Sequence, residues 1–144
     1  MFTSINNGFS RFADAPDFGK LLLRVSLGAL LLFHGFFKMQ HGVGWIARLL
    51  EGHALPGFIA YGAYIGEVLA PAMIVLGLLT RPAALVIAIN LVVATLLAKS
   101  GVFWDRTAVG AWALEVEALY LFGALAVMFL GAGRYTLVRD SSLT

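Results

Sequence analysis

Four long apolar stretches constrain this chain more than any other feature of its sequence. They cover about residues 18–37, 59–79, 82–98 and 111–130. A helix rises about 1.5 Å per residue, so about 20 apolar residues cross a hydrocarbon core about 30 Å thick. The sequence therefore predicts an all-α integral membrane protein, folded as an antiparallel four-helix bundle.

The composition excludes several other classes of protein. Of the 144 residues, 60% are hydrophobic and 12% are charged, whereas soluble domains contain about 25% charged residues. A soluble globule and a disordered chain are therefore excluded. The net charge is only +2 and no basic run is present, so we expect no nucleic-acid binding. The lack of cysteine excludes disulfides and thiolate metal sites.

The chain divides into three predicted parts. Residues 1–17 lack the basic start and the apolar stretch of a secretory signal, and we expect them to form a cytoplasmic arm. Residues 18–139 form one four-span membrane domain, and residues 140–144 form a C-terminal tail. Between the first two spans, apolar residues interleave with Arg48 and Glu51, which predicts a short interfacial helix.

The distribution of basic residues predicts the orientation, because Lys and Arg concentrate near the cytoplasmic ends of membrane spans. With the N-terminus inside, the basic residues on the cytoplasmic side are Arg11, Lys20, Arg24, Arg81, Arg134 and Arg139. The other four basic residues lie outside, together with all three tryptophans, whose indole rings favour the headgroup boundary. We therefore expect both termini in the cytoplasm.

The first span carries a stripe of polar and small residues. A step of about 100° per residue places Arg24, Gly28, Gly35 and Lys38 on one face, with His34 at its edge. A charge at mid-membrane costs about 2.5–3.5 kcal/mol, so the stripe should face other helices. The two glycines allow a neighbouring backbone to approach closely. Arg24, near the inner end, is expected to anchor the topology.

Glu67 is the deepest acidic residue of the chain, about 15 Å from the outer end of the second span. Pro71 follows on the same face, cannot donate a hydrogen bond to the Glu67 carbonyl, and is expected to kink the helix there. Two interpretations of Glu67 stay open. It is either a structural ion pair with Lys38 or Arg24, or a protonated acid in a functional pocket.

The sequence Thr80-Arg81-Pro82 leaves almost no loop between the second and third spans. Thr80 can cap the following helix, and Pro82 can occupy its first turn. We therefore expect a tight hairpin of two helices, in which Thr80 and Arg81 have a structural role.

Three segments carry polar residues and glycines in a distinctive order and spacing. The segment LLLRVSLGALLLFHGFFKM contains Arg24, Gly28, His34, Gly35 and Lys38. The segment EVLAPAMIVLGLLTRPAALVIAINLVVA contains Glu67, Gly77, Thr80 and Arg81. The segment GAGRYTLVRD contains Gly131, Gly133, Arg134 and Tyr135. Over roughly residues 18–139, this arrangement resembles the DoxX family of small four-helix bacterial membrane proteins.

The resemblance implies a multi-pass protein of the bacterial cytoplasmic (inner) membrane. Some members of that family are associated with quinone-linked oxidation, including electron transfer from thiosulfate to quinone. Others are associated with resistance to oxidants and electrophilic quinones. The resemblance also favours Glu115 over Glu117 as a pocket residue. The two side chains point in nearly opposite directions, so only one can enter a pocket, and Glu117 stays the alternative.

The polar residues of the predicted spans define a candidate pocket in the outer half of the bundle. Its expected members are His34, Lys38, Glu67, Asn90 and Glu115. A quinone needs a donor to its carbonyl, an acid that moves protons, and apolar walls. Nearby aromatic residues that can supply such walls are Phe33, Phe36, Phe37 and Phe122. His34 with Glu67 gives too few ligands for a metal, so no metal site is predicted.

Three functions stay open at this point. The first is a quinone-linked or redox-stress role, as a binder or non-catalytic subunit whose protein partner carries the redox cofactors. The second is a proton-coupled carrier of small lipophilic molecules, whose pathway needs a homo-oligomer or a large opening. The third is a membrane scaffold, in which the ion pairs only stabilise the bundle. The lipid bilayer is the expected partner in all three.

Overall fold

The computed structural model describes residues 14–137, and this part of the chain is mainly helical. The helices are α1 (Pro16–His41), α2 (Gly44–Gly52), α3 (Gly57–Leu76), α4 (Thr80–Lys99) and α5 (Glu115–Leu130). Among the described residues there is no β-strand, and an isolated bridge joins Arg106 to Trp112. Most of the predicted N-terminal arm, the C-terminal tail, Arg11 and Arg139 lie outside the described residues.

Three helices are long and apolar enough to cross a membrane: α1, α3, and α4 with its extension to Val102. α1 and α4 extend beyond the predicted spans at both ends. α5 contains 16 residues, which is about 24 Å of helix and shorter than the hydrocarbon core. The protein is therefore all-helical with three membrane-capable helices.

The fourth predicted stretch becomes helical at Glu115 rather than at residue 111. The residues before it form a turn. In this turn the Thr107 N–H donates to the Ala111 carbonyl at 2.8 Å, and the Ala113 N–H donates to the Asp105 carbonyl at 3.0 Å. Because these groups bond to each other, they are not free to continue the helix toward the N-terminus, and α5 begins a few residues after the predicted start at about residue 111.

α3 has an irregular centre. A π turn spans Ile65–Leu69, in which the Ala70 N–H donates to the Ile65 carbonyl five residues earlier. A regular α-helix follows from Ala70. Pro71 has no N–H for the Glu67 carbonyl, and the widened turn accommodates this missing hydrogen bond. The irregularity expected at Pro71 therefore takes the form of a π turn that contains Glu67.

The connection between α3 and α4 is as short as predicted, but it is capped differently. Gly77 follows α3 at φ 77°, a left-handed conformation that glycine adopts without strain. Leu79 precedes α4, and its carbonyl accepts the Ala83 N–H at 2.9 Å. Thr80 is therefore the first residue of α4 and not its cap, so that prediction is wrong. The buried Thr80 Oγ1 has no hydrogen-bond partner among the described residues.

Small residues bring the helices close together. α1 packs against α3, and α4 packs against α5. The shared core consists of Leu27, Leu31, Ala70, Ile74, Ala83, Ala84, Ile87, Ala88, Ala124 and Val127. A Cβ placed on Gly28 would lie 2.8 Å from the Pro71 carbonyl oxygen and 2.6 Å from Val75 Cγ2. Only glycine therefore permits this contact between α1 and α3 without a shift.

α2 is held on α3 by a second apolar cluster, in which Leu50 of α2 and Val43 pack with Ala60 and Ala63 of α3. α2 also contacts α4. The sequence predicted a short helix in this connection, and the helix is present. It covers the end of α3 and α4 that lies near Lys38, which we call the Lys38 end. The opposite end of the helices is called the Arg24 end.

Candidate functional site

The side chains of Lys38, Glu67 and Asn90 meet between α1, α3 and α4. The Lys38 ammonium donates to Glu67 Oε1 in an ion pair, and Asn90 Nδ2 donates to the same oxygen at 3.3 Å. The side chains of Lys38 and Glu67 are only 14% and 8% exposed. Of the two cations considered as partners of Glu67, the structure therefore pairs it with Lys38 and not with Arg24.

The second carboxylate oxygen of Glu67 has no such partner. Oε2 is buried and makes no hydrogen bond to any of the residues 14–137. A buried acceptor without a donor costs about 1–3 kcal/mol, and more when it is charged. A ligand that brings a hydroxyl or N–H group to this oxygen would remove that penalty.

Two glycines allow Glu67 and Asn90 to occupy these positions. A Cβ on Gly35 of α1 would overlap the Glu67 carbonyl oxygen and would lie 2.6 Å from Val68 Cγ2. A Cβ on Gly66 would lie 2.7 Å from Asn90 Oδ1. The π turn is therefore packed directly on α1 at one side and on the Asn90 side chain at the other.

A cavity of about 280 Å³ lies beside this cluster. Lys38, Glu67 and Asn90 contribute its polar surface, and its apolar wall includes Trp45, Ile46, Leu49, Ile65, Val86 and Ile89. Ile65 and Ile89 are more than half exposed, although both lie on membrane-capable helices. The cavity therefore adjoins a surface that faces hydrocarbon in a bilayer, and an amphiphilic molecule can reach it from there.

Two aromatic residues contact Lys38: Trp45, which lines this cavity, and Tyr64, which does not. The Tyr64 hydroxyl donates to the Lys38 carbonyl oxygen at 3.2 Å, and Lys38 Nζ lies 5.9 Å from the centre of the Trp45 ring. A cation over an indole face is attracted by the ring electrons. The Lys38 ammonium is thus held between a carboxylate and an indole.

Two residues of the predicted cluster lie elsewhere. His34 is exposed and its ring makes an edge contact with Tyr120 of α5 at 6.0 Å. His34 lies at the edge of the α1 stripe, and its side chain is directed toward α5 rather than toward α3. Glu115 is exposed at the first turn of α5. Its alternative, Glu117, instead pairs with Lys99 at 2.5 Å.

The phenylalanines expected to form the walls do not line the cavity. Each of the four is more than half exposed: Phe33, Phe36, Phe37 and Phe122. The wall is mainly aliphatic, with Trp45 of α2 as its indole. The apolar face of α2 was visible in the sequence, but the packing of this face over α3 and α4 is a long-range contact that periodicity does not reveal.

Arg24 connects three parts of the chain at the Arg24 end. It is 1% exposed and donates to the carbonyls of Ile74 at 2.7 Å and Val75 at 2.6 Å, and also to the Tyr135 carbonyl. Carbonyls at the end of a helix carry partial negative charge, which stabilises the cation. Arg24 therefore ties α1 to the end of α3 and to the segment after α5, beyond the anchoring expected of it. Nearby, the Arg81 guanidinium packs against Gly131.

A model of the DoxX family matches residues 19–100, which is more than half of the chain. The chain belongs to the DoxX family. The match contains α2, α3, α4 and most of α1, and all residues that line the 280 Å³ cavity fall within it. It ends before α5, so Glu115 and Glu117 lie beyond it. No curated protein and no solved structure matches the chain.

The cavity of this DoxX protein offers a donor and an acceptor side by side. Lys38 carries three N–H donors and uses one of them on Glu67 Oε1, whereas Glu67 Oε2 is an acceptor. Asn90 carries both amide donors and a carbonyl acceptor. In the described part of the chain, no group of three His, Asp or Glu side chains is placed to hold a metal ion. The cluster is therefore suited to hydrogen bonding and proton exchange with an organic ligand.

Proposed function

We propose that this DoxX-family protein binds a quinone-class molecule in the cavity beside Lys38, Glu67 and Asn90. The observation that carries the proposal is a buried carboxylate with one unpartnered oxygen, in the wall of an apolar cavity at a lipid-facing surface. In this role the protein is a binder or subunit of a quinone-linked or redox-stress system, rather than a complete enzyme. The proposed location of the protein is the bacterial cytoplasmic (inner) membrane.

The two redox forms of such a ligand suit the two groups of the ion pair. A quinone carbonyl accepts a hydrogen bond from the Lys38 ammonium, and a quinol hydroxyl donates one to Glu67 Oε2. The aliphatic wall and Trp45 accommodate the ring. Reduction of the quinone takes electrons as well as protons. Lys38 and Glu67 can exchange the protons, and a protein partner with redox cofactors is the proposed source of the electrons.

The proposed topology has four membrane crossings and cytoplasmic termini. α5 adds the fourth crossing to the three membrane-capable helices, although it is shorter than they are. Aromatic contacts of Phe103 with Trp104 and Trp112 support a headgroup boundary at this turn, because indole rings favour that depth. The basic residues of the Arg24 end support a cytoplasmic location for that end.

Single-cysteine labelling tests this topology, because the chain has no cysteine of its own. Thr107→Cys should react with a membrane-impermeant maleimide in spheroplasts, whereas Asp14→Cys should react only after the membrane is opened. Labelling of both residues from the same side would overturn the three crossings proposed between them. The reverse pattern would overturn the orientation.

The packing at the Arg24 end favours a binder over a carrier. A carrier needs a path from the cavity to the opposite side of the membrane. In the described residues that end is occupied by Arg24, whose guanidinium joins three segments. The binding experiment that follows distinguishes a scaffold, which binds no ligand, from a binder or a carrier.

The proposal is tested by titration of the purified full chain in nanodiscs with ubiquinone and menaquinone analogues. The parent protein should bind at least one of them saturably, and Glu67→Gln should weaken binding about tenfold, the effect of one charge-assisted hydrogen bond. Glu117→Gln is the matched control, since it alters the other carboxylate that is paired with a lysine, and it should change binding less than about twofold. Absence of saturable binding to the parent, or unchanged binding to a folded Glu67→Gln variant, would overturn the proposal.

A further inference from the structure

A second cavity lies between α4 and α5, beside a distinct lysine–glutamate pair of which the glutamate lines it. Lys99 Nζ and Glu117 Oε1 are 2.5 Å apart. The cavity has a volume of about 170 Å³ and is lined by residues that include Leu91, Leu96, Phe103, Trp112, Glu117 and Leu121. None of the residues that line it also lines the 280 Å³ cavity. The quinone proposal makes no use of this site.

The carboxylate at the second cavity is incompletely satisfied. Glu117 Oε2 is buried and has no hydrogen-bond partner among the described residues. The ammonium of Lys99 uses one N–H on Glu117 Oε1, and its side chain is 43% exposed. Glu117 therefore brings a buried acceptor to the cavity lining, and Lys99, outside the lining, still has N–H groups to donate.

The position of this cavity matches the boundary between hydrocarbon and headgroups. Lys99 is the last residue of α4, and Glu117 lies in the first turn of α5. The Trp112 indole is fixed by a hydrogen bond from Nε1 to the Phe103 carbonyl at 2.6 Å, and the two rings meet edge to face. Fixed aromatic rings are typical of this depth. The apolar lining continues along α4 toward Leu91.

We propose that this cavity holds an acyl chain of a phospholipid whose headgroup lies beside it at Lys99 and Glu117 and carries a primary ammonium, as in phosphatidylethanolamine. The ammonium of the lipid donates to Glu117 Oε2, and the remaining N–H groups of Lys99 donate to the phosphate. One acyl chain lies against the leucines of α4 and α5. A choline headgroup has the same phosphate but no N–H, so it leaves the Glu117 oxygen unsatisfied.

Native mass spectrometry of the full chain with lipids of identical acyl chains tests this site. Phosphatidylethanolamine should bind about tenfold more tightly than phosphatidylcholine, which corresponds to one charge-assisted hydrogen bond. The N,N-dimethylated lipid retains one N–H and should fall between them. This series uses only the parent protein, so it does not depend on the folding of any variant. Equal binding of the three lipids would overturn the proposal.

Two variants connect the preference to Glu117. Glu117→Gln should bring the affinities for phosphatidylethanolamine and phosphatidylcholine within about twofold of each other, because a neutral amide loses the charge-assisted bond. Glu115→Gln alters an exposed carboxylate in the same helical turn and should keep the full preference. A folded Glu117→Gln variant that still prefers phosphatidylethanolamine would place the selectivity elsewhere and overturn the assignment.

Discussion

The two lysine–glutamate pairs of this protein have the same chemistry and different surroundings. In both, the lysine bonds Oε1 and leaves a buried Oε2 without a partner among the described residues. The side chains of Lys38 and Glu67 are 14% and 8% exposed, whereas those of Lys99 and Glu117 are 43% and 25% exposed. The first pair joins α1 to the π turn of α3, and the second joins the ends of α4 and α5.

This difference determines what each pair does for the fold. When one partner of a buried pair is removed, an uncompensated charge stays in a medium of low dielectric constant, which costs about 3–5 kcal/mol. Partly exposed pairs contribute about 0.2–1 kcal/mol, because water screens them and their side chains lose entropy. Removal of one partner is therefore expected to destabilise the protein strongly at the Lys38–Glu67 pair and only slightly at the Lys99–Glu117 pair.

The largest effect is expected from Lys38→Met. This change leaves Glu67 without its cation and should lower the free energy of unfolding by about 3–5 kcal/mol, measured by denaturant titration in mixed micelles. The double variant Lys38→Met with Glu67→Leu removes both charges and should recover most of this loss. A loss below about 1 kcal/mol in the single variant would mean that water reaches the pair, and the contrast with Lys99–Glu117 would disappear.

A smaller loss is expected from Gly35→Ala, which tests the contact between α1 and the π turn. The added Cβ would overlap the Glu67 carbonyl oxygen, and the resulting shift of α3 should cost about 1–3 kcal/mol of unfolding free energy. Gly19→Ala is the control on the same helix, because nothing lies within 4 Å of its added Cβ. It should leave stability unchanged or raise it by up to about 1 kcal/mol. If both variants behave alike, α1 does not pack on α3 as described.

Asn90→Ala should have a moderate effect. It removes the 3.3 Å hydrogen bond to Glu67 Oε1 and should cost about 1 kcal/mol. It should also weaken quinone binding, since the carboxylate is then held less firmly. Ile89→Ala, at the adjacent exposed position, serves as the control for loss of side-chain volume in the unfolding measurement. A stability equal to that of the Ile89→Ala variant, together with unchanged binding, would remove Asn90 from the site.

The smallest effect is expected from Lys99→Met. Because the pair is partly exposed, its loss should cost less than about 1 kcal/mol of unfolding free energy and should not change quinone binding. Its effect should appear in the binding of phosphatidylethanolamine instead. A loss as large as that of Lys38→Met would show that exposure does not distinguish the two pairs.

The sequence alone predicted those site residues whose role depends on their face or depth within a single helix. Helical periodicity placed Lys38 on the same face as Gly35, and the distance of Glu67 from the end of its span marked it as buried. Asn90 stood out as an amide in an apolar helix. These inferences use local geometry, which a sequence contains. The class of the fold followed from the length and composition of the apolar stretches for the same reason.

The remaining parts of the site depend on contacts between distant segments. His34 lies away from the cavity because its side of α1 faces α5. Glu115 is the first residue of α5, after a turn. Neither the packing of α1 on α5 nor this turn can be derived from periodicity. The connection of Arg24 to the Tyr135 carbonyl spans 111 positions of the chain. The cavity itself depends on how α2 lies over α3 and α4, so Trp45 could not be assigned to it beforehand.

Photoaffinity labelling of the full chain with a quinone that carries a diazirine is the most direct test of the central claim, that the Lys38–Glu67 cavity is a ligand site. Peptide mapping should find the label on α2, α3 and α4 residues of the cavity wall, such as Trp45, Ile65 and Ile89. Excess unmodified quinone and the Glu67→Gln substitution should both reduce it. Label confined to α5, or equal label in parent and Glu67→Gln protein, would contradict this account.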